Sequence, residues 1–402
     1  MTSLKELHQK DAKKMIEVNG IEVPFAYSDF EQEYKALREN ITLSDYSHYA
    51  KVKVEGDEAF DLLDYAVAGD VAEIRDEQTL YTVLLDDQGE IITDVYILND
   101  DDTYLVLSEH VTGEFLTSLL ESRLKDLEDL DDVEIQDMTE SHAMIAVEGP
   151  YSWELATEEF GMDVIGIPFL GFIALDEESY ILRAGKHGEF GYKVILPTDQ
   201  AVELWNTFEE KGERYKLVKA GLELHTVSRL ENPYYNPKTV GQYSTDPRVL
   251  QLQWMVRYDK EEFFGREALL EKREQPLEKK LVGALIQSSE SDLAIMANDI
   301  VLCEGEEIGV IANVGFSPSL KQFVAQVILN AEYAYAGIND YQIKASDGSE
   351  YAIATTATPF IQNYSMLVNP NENSFVNPDK YKNMLDQLKA KEAEAQKTAE
   401  NA

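Results

Sequence analysis

Cysteine is nearly absent from this sequence, since Cys303 is the only one among 402 residues. A single cysteine excludes an internal disulfide and any metal site built from several thiolates. Its neighbours, VLCEG, are typical of a strand, so Cys303 is interpreted as a small buried apolar side chain. The six histidines show no ligand spacing, and we therefore expect no protein-bound metal.

Long apolar runs and positive charge are also scarce. No stretch approaches the length of a membrane span, and the N-terminal segment MTSLKELHQKDAKK has no signal-peptide core. Acidic residues number 76 against 35 basic ones, a formal net charge of −41. This charge argues against nucleic acid and anionic membranes as partners, because both bind to basic faces. We expect a soluble cytoplasmic protein.

Helical and alternating segments are interspersed, which predicts an α+β fold. One helix is predicted over residues 3–16 and another over 219–232, while residues 43–56 are interpreted as one strand. After Pro276, short strands with Gly and Asn turns predict a small closed antiparallel β-domain. The predicted domains are 1–276, 277–368 and 369–402, the last comprising a polar connector followed by a helix over 379–402.

The segment YTVLLDDQGEIITD, residues 81–94, is predicted to be a β-hairpin with Gly at its bend. Asp86 and Asp87 suit the turn, whereas Asp94 lies inside the second strand, where Asp is disfavoured. Asp94 is either a strand residue facing water or a functional carboxylate. Glu189 in GKHGEFGY and Arg229 in VSRLEN are similarly isolated polar residues.

Phosphate-binding, dinucleotide-binding, serine-hydrolase and zinc-protease signatures are all missing from the sequence. Taken singly, Tyr81, Asp94, Glu189 and Arg229 fit structural roles, such as a cation near a helix C-terminus for Arg229. Residue chemistry alone therefore leads no further than an α+β protein with a C-terminal β-domain.

The order of several segments resembles the aminomethyltransferase family, the T-protein of the glycine cleavage system, over roughly residues 20–367. LSDYSHYAKVKVEG is similar to the family's F-D-V-S-H-M segment, and QTLYTVLLDDQGEIITDVYIL to its Y-T-L-L-L-N…G-G-I-I-D-D-L-I-V segment. RAGKHGEFGYKVILP, HTVSRLENPYYNP, QWMVRYDKEEFFGREAL and GEEIGVIANVGFSPSLKQFVA resemble further family segments in the same order. The resemblance implies a three-lobed fold around a central cleft that folate enters, with a C-terminal antiparallel β-barrel.

The resemblance also implies roles for single residues. The family's catalytic carboxylate falls on Asp94, and its folate-contacting tyrosine falls on Tyr81. Its folate-binding Glu falls on Glu189, and the second Arg of its R-D-S-L-R-L-E motif falls on Arg229. Tetrahydrofolate is the cofactor that this pattern implies.

Several positions depart from the family pattern and bear on the one-carbon donor. The first Asp of the D-D pair is Thr93, the Asn after the third strand is Glu109, and the last Glu of G-E-D-G-x-E is Lys193. His225 and Thr226 replace the Arg and Asp that open R-D-S-L-R-L-E, and Asn232 and Pro233 replace the last two residues of E-A-G. We expect Glu109 to lie on the donor side.

The resemblance leaves three functions open. The first is aminomethyl transfer to tetrahydrofolate from a lipoylated carrier protein, although the net charge of −41 disfavours an acidic carrier. The second is tetrahydrofolate-dependent demethylation of a small methylated substrate, for which Tyr234, Tyr235 and Tyr243 would line an aromatic cage. The third is a non-catalytic folate-binding accessory protein, but Cys303 lacks the sequence context of that branch.

Overall fold

The computed structural model of the chain describes residues 3–127, 130–288, 292–362, 365 and 368–380. These residues form two compact units, each assembled from separate stretches of sequence. Unit 1 contains residues 3–48 and 140–224 with the described residues from 362 onward, and unit 2 contains residues 49–139 and 225–361. The units follow contacts rather than chain order, so the predicted boundaries at residues 276 and 368 stay predictions.

Eight α-helices occur in the described residues: α1 (Leu4–Asp11), α2 (Phe30–Glu39), α3 (Ala59–Ala66), α4 (Gly113–Asp126), α5 (Ser152–Phe160), α6 (Thr198–Gly212), α7 (His225–Glu231) and α8 (Arg266–Arg273). Side-chain caps begin two of them. Ser3 and Glu6 form a reciprocal capping box at α1, and the Thr112 hydroxyl accepts from the Phe115 N–H at α4.

The strands of the first half are β1 (Lys14–Val18), β2 (Ile21–Ala26), β3 (Thr42–Asp45), β4 (Ala50–Glu55), β5 (Gln78–Leu85), β6 (Ile91–Asp100), β7 (Thr103–Ser108), β8 (Glu134–Asp137) and β9 (His142–Glu148). Those that follow are β10 (Phe172–Ala174), β11 (Tyr180–Leu182), β12 (Gly191–Pro197), β13 (Val218–Lys219), β14 (Lys279–Ile286), β15 (Ile300–Cys303), β16 (Glu306–Ser317), β17 (Gln322–Asn330), β18 (Tyr341–Lys344) and β19 (Glu350–Thr356).

Unit 1 is built on a six-stranded sheet with the order β10-β11-β12-β9-β3-β13. Its neighbours run antiparallel except for β13, which pairs in parallel with β3. Helices α5 and α6 supply Trp153, Trp205 and Phe208 to a core that also contains Ile145 and Val194 of the sheet. The loop between β11 and β12 carries Glu189.

Unit 2 contains a five-stranded antiparallel sheet with the order β5-β6-β7-β4-β8. One face packs against α3 and α4 in a core that includes Leu63, Val95, Ile97, Val106 and Leu120. Side chains alternate along a strand, so the residues between these core positions point to the opposite face. That face is therefore the one that carries Asp94 and Tyr96 of β6.

Unit 2 also contains the predicted β-domain, which is confirmed as a closed antiparallel barrel of six strands, β14-β17-β16-β15-β18-β19. Its interior holds apolar residues such as Val301, Ile311 and Val327. Helix α7 lies against β16, where a Cβ at Gly315 would come within 3.1 Å of Leu230. This close approach positions α7, the helix that carries Arg229, against the barrel.

The helix predicted over residues 3–16 is too long. Helix α1 ends at Asp11, and the chain enters strand β1 at Lys14. Strand β1 pairs with β2 across a tight turn in which Asn19 and Gly20 both have positive φ, 53° and 81°. Asn-Gly between two apolar runs is a strong hairpin signal, and it outweighs the helical spacing of the preceding residues.

Two further predictions merged separate elements. Residues 43–56 form two strands, β3 in the unit 1 sheet and β4 in the unit 2 sheet, rather than one. In the segment 219–232, only α7 is α-helical, and it is preceded by β13 and a turn of 3-10 helix. The short parallel pairing of β13 with β3 is a tertiary contact that local periodicity does not reveal.

Residues 369–379 were interpreted as a connector, but they pack into unit 1. The Ser374 hydroxyl donates to Glu154 Oε1 over 2.5 Å, and the Phe375 N–H donates to Glu154 Oε2 over 2.8 Å. The Phe375 ring lies 5.0 Å from the ring of Tyr151. The helix predicted over 379–402 falls almost wholly outside the described residues.

Across the ranges that the structure describes, no helix is both long and apolar enough to cross a membrane.

Substitution of Gly309 is expected to destabilise the barrel. A Cβ there would lie 2.1 Å from the carbonyl oxygen of Ile328, so Gly309→Ala forces two paired strands apart. We expect a cost of about 1–3 kcal/mol and a fall in Tm measured by calorimetry. Gly166→Ala is the control, because no atom lies within 4 Å of its Cβ position. Equal Tm values for the two variants would contradict this account.

Candidate functional site

The central hairpin is formed by β5 and β6, with Gly89 at positive φ in its turn. Tyr81 pairs with Tyr96 across the two strands, and Asp94 lies two residues before Tyr96. Tyr81, Asp94 and Tyr96 therefore share one face of the unit 2 sheet, opposite the helices. Asp94 is only 1% exposed, so it does not face water as a surface strand residue would.

The two oxygens of Asp94 have different neighbours. The Tyr81 hydroxyl donates to Oδ2 over 2.5 Å, while His110 Nε2 lies 3.7 Å from Oδ1. Burial, and then the charge of Asp94, hold the pKa of Tyr81 well above its ordinary value. Tyr81 therefore stays a neutral donor that orients the carboxylate at any physiological pH.

Thr93, which stands where the family has the first Asp, is fully buried on the other side of β6. The Thr93 and Ser108 hydroxyls are 2.9 Å apart, and the Ser108 hydroxyl donates to the Asp94 carbonyl over 3.0 Å. Thr93 thus contributes to the hydrogen bonds that join β6 to β7 behind Asp94.

Glu109 follows β7 and forms a buried ion pair with Arg229 of α7. The Arg229 Nη1 group donates to Glu109 Oε1, and the Tyr49 hydroxyl donates to Oε2 over 2.9 Å. The side chains of Glu109 and Arg229 are only 7% and 11% exposed. The charge that Glu109 adds to this site is therefore balanced by Arg229.

Sequence reasoning missed His110, which the structure places at the centre of this group. Its Nε2 atom lies 3.7 Å from Asp94 Oδ1 and 3.9 Å from Glu109 Oε2. His225 Nδ1 lies 3.8 Å from the other Glu109 oxygen. The sequence signal for His110 is its position next to Glu109, and its spacing from the other histidines is not that of metal ligands. No group of three or more metal-type ligands is found among the described residues.

Aromatic rings surround Tyr81. Its ring centroid lies 4.6 Å from Tyr96, 5.8 Å from Tyr234 and 6.0 Å from Trp254. Tyr235 is also buried, and this burial, with the nearby charges of Asp94 and Glu90, raises the pKa of Tyr235 to about 12. Tyr81, Tyr96 and Tyr235 are therefore neutral phenols at physiological pH.

A cavity of about 510 Å³ opens beside these rings, wholly within unit 2. We call it the aromatic cavity, because Tyr81, Tyr234, Tyr235, Trp254 and Tyr335 line it. Lys280 of β14 is its one charged lining residue among those the structure describes, although the chain has 76 acidic residues. Tyr243 lies elsewhere and donates to the Asn298 side chain over 2.9 Å.

Glu189 belongs to unit 1, where its carboxylate is held from two sides. Arg38 Nη1 donates to Glu189 Oε1 over 2.7 Å and to the His187 carbonyl over 2.8 Å. The Ser365 hydroxyl donates to Glu189 Oε2. Of the predicted site residues, unit 2 thus brings together Tyr81, Asp94, Glu109, Arg229, Tyr234 and Tyr235.

A buried network supports the Glu189 loop from inside unit 1. The Tyr46 hydroxyl donates to Glu148 Oε2 over 2.5 Å, and His187 Nε2 lies 3.1 Å from the same hydroxyl. Lys193 Nζ donates to the Ala184 carbonyl over 2.8 Å and lies 3.4 Å from Glu148 Oε1. The loop that carries Glu189 is therefore fixed at both of its ends.

Glycines allow the loop to approach Glu148. A Cβ at either Gly185 or Gly191 would lie 3.2 Å from Glu148 Oε1. Larger residues at these positions would push the loop away from the carboxylate.

Two family models match the chain. The model described as GCVT N-terminal domain matches residues 4–260, and that of the glycine cleavage T-protein C-terminal barrel domain matches residues 279–362. The chain is 30% identical to the aminomethyltransferase of Halothermothrix orenii over 84% of this chain and 93% of the relative. It is 28% identical to that of Pseudothermotoga lettingae over 86% of this chain and 94% of the relative.

The fold also matches a solved structure, the glycine cleavage system aminomethyltransferase T from Bartonella henselae. The TM-score is 0.78 at 23% identity, and the match covers 90% of this chain and 97% of the other. The fold class implied by the sequence resemblance is thereby confirmed.

Removal of the Lys193 cation is expected to destabilise unit 1, because it leaves a buried carboxylate without its cation. We expect Lys193→Met to cost about 3–5 kcal/mol in the free energy of unfolding, measured by urea titration. Lys193→Met combined with Glu148→Gln should cost less than Lys193→Met alone. Lys53→Met is the control, since its ion pair with Glu55 is partly exposed and worth about 0–1 kcal/mol. A double variant at least as unstable as Lys193→Met alone would contradict the coupling.

Proposed function

Because the chain belongs to the family defined by the GCVT N-terminal domain and the glycine cleavage T-protein C-terminal barrel domain, we propose that it transfers a one-carbon unit to tetrahydrofolate as an aminomethyltransferase. The observation that carries this proposal is Asp94, a buried carboxylate oriented by Tyr81, whose ring lines the aromatic cavity. A buried charge is costly to maintain, so its retention beside a cavity points to a role in binding or chemistry.

Asp94 supports the proposed reaction through its charge. Aminomethyl transfer develops positive charge at the donor carbon and nitrogen, and a fixed carboxylate stabilises that charge without reorganisation. At about 4 Å and an effective dielectric constant of about 20, a unit charge pair interacts by roughly 4 kcal/mol before desolvation. Tyr81 donates to Oδ2, and His110 faces Oδ1 at 3.7 Å.

Tetrahydrofolate supplies the nitrogens that accept the carbon unit. The aromatic cavity suits the part of this molecule that is aromatic and anionic. Its rings offer stacking surfaces for the p-aminobenzoyl group, and Lys280 offers a cation for a carboxylate of the glutamate tail. Lys280 forms no ion pair with any residue that the structure describes, so its ammonium is available. Glu189 is proposed to hold pterin N–H groups, on the strength of the sequence resemblance.

The donor is proposed to be an aminomethyl group on a lipoylated carrier protein, as the family resemblance implies. An acidic carrier would need a basic docking patch. In the most basic stretch, around residues 272–280, Lys272 is already paired with Glu90. Arg229 is likewise paired with Glu109 and is not free to hold a donor carboxylate. Asp94, rather than these paired cations, is proposed to interact with the donor as its reacting end becomes cationic.

A second candidate is tetrahydrofolate-dependent demethylation of a small methylated cation. The ring centroid of Tyr81 lies 5.8 Å from that of Tyr234 and 6.0 Å from that of Trp254. Such rings bind methylated cations through their faces. The two functions differ in product. Ammonia release from an aminomethyl carrier identifies the first, and methyl-tetrahydrofolate from a panel of methylated amines and sulfonium compounds identifies the second.

Neutralisation of Asp94 tests the reaction itself. We expect Asp94→Asn to lower kcat by about 100-fold or more, measured as folate-dependent ammonia release, while tetrahydrofolate binding by fluorescence changes less. Asp87→Asn is the control, because Asp87 is an exposed turn residue of the same hairpin. Glu189→Gln should weaken folate binding instead. Wild-type protein that binds no tetrahydrofolate at millimolar concentration would refute the proposed function.

Charge reversal at Lys280 tests the placement of the folate tail. Lys280→Glu should weaken tetrahydrofolate binding by roughly tenfold or more, with a larger loss for polyglutamylated folate and a smaller one at high salt. Lys279→Glu is the matched control, since Lys279 is exposed on the opposite face of β14. A tail-free tetrahydropterin should bind both variants equally. Equal losses for the two variants would exclude the tail from this cavity.

A further inference from the structure

Among the described residues around Asp94, Tyr81 is a fixed donor and His110 is a titratable group. Tyr81 donates to Oδ2 and stays neutral, because burial and the Asp94 charge hold its pKa far above the physiological range. His110 Nε2 faces Oδ1 at 3.7 Å and is itself 9% exposed at the side chain. Unlike Tyr81, an imidazole changes its charge at near-neutral pH.

The position of the His110 proton follows from its neighbours. Nε2 lies 3.3 Å from the Tyr235 carbonyl oxygen, 3.7 Å from Asp94 Oδ1 and 3.9 Å from Glu109 Oε2. A carbonyl oxygen accepts hydrogen bonds and donates none, and an ionised carboxylate does the same. Nε2 therefore carries a hydrogen in both the neutral and the charged ring, and titration at Nδ1 changes only the charge.

The charge of His110 is directed mainly at Asp94, because Glu109 already has other partners. Arg229 is ion-paired with Glu109, Tyr49 donates to it, and His225 faces it from α7. Tyr235 and Tyr96 also pack nearby, but burial raises the pKa of both phenols, so they remain neutral. The charge balance at Asp94 thus depends on whether His110 is protonated.

We propose that His110 is a positioning residue that sets how much of the Asp94 charge is available to a cationic one-carbon donor. With a neutral imidazole, Nε2–H orients Oδ1 and leaves a net negative charge facing the donor. With an imidazolium, Asp94 is compensated internally, and its attraction for a developing cation falls. The inference rests on the proposed function, because it requires that Asp94 act on a cation, and it adds a residue that decides when Asp94 does so.

Two substitutions with opposite fixed charges test this inference on the full chain. His110→Gln keeps a donor without a charge, so it should behave as neutral histidine at every pH. The acid limb of its kcat profile should then move to lower pH than in the wild type. His110→Lys keeps a permanent cation, so kcat should be lower by roughly tenfold or more and nearly flat from pH 6 to 8.

His225→Gln is the matched control. His225 faces Glu109 rather than Asp94, and that carboxylate is paired with Arg229, so the acid limb should remain where it is in the wild type. Thermal unfolding of each variant shows that it is folded, and tetrahydrofolate binding separates effects on KM from effects on kcat.

Each result has a definite meaning. A wild-type acid limb that persists unchanged in His110→Gln overturns the inference, as does full activity in His110→Lys. In both cases the proposed function stands, because transfer to tetrahydrofolate still occurs. A wild type that shows no folate-dependent transfer with either donor class overturns the proposed function and this inference together, and it is recognised before any variant is made.

Discussion

The hydrogen bond from Tyr81 to Asp94 is the interaction on which the unit 2 site depends. A carboxylate that is 1% exposed stays ionised only if donors and cations replace the water it has lost. The hairpin places Tyr81 diagonally across from Asp94 on the same face, so the donor is supplied by β-sheet register alone. Stacking of Tyr81 against Tyr96 and Trp254 then restricts the ring, and the hydroxyl cannot turn away.

Two of the departures from the family pattern introduce a buried charge, and each of these charges lies next to a charge of opposite sign. Glu109 adds a buried negative charge, and Arg229, which the family shares, neutralises it. Lys193 adds a buried positive charge in unit 1, and Glu148 lies 3.4 Å from it. A buried charge without a partner costs far more than a paired one, so each new charge is accompanied by a partner that keeps the site balanced.

Local sequence patterns predicted the elements that are formed by residues close together in the sequence. The hairpin and its turn follow from one short segment, and the short strands after Pro276 sufficed for the barrel. Local pattern left the burial of Asp94 open, and the family resemblance supplied its place beside Tyr81. Contacts between distant segments were not predictable in the same way. Arg38 meets Glu189 across 151 positions, and Glu109 meets Arg229 across 120. His110 was missed because its role comes from the pairing of β6 with β7, which sets Asp94 and Glu109 side by side.

Net charge alone is a poor guide to what this protein binds. A value of −41 predicts repulsion of anions, yet the described lining of the aromatic cavity contains no acidic residue and one lysine. Long-range charge governs how a partner approaches, and it is screened over about 8 Å at physiological salt. The cavity is lined by tyrosine, tryptophan and residues of the barrel. Inside it, the nearest charged side chains determine which ligand groups bind. An anionic folate tail at Lys280 and a cationic donor at Asp94 are therefore compatible within one acidic chain.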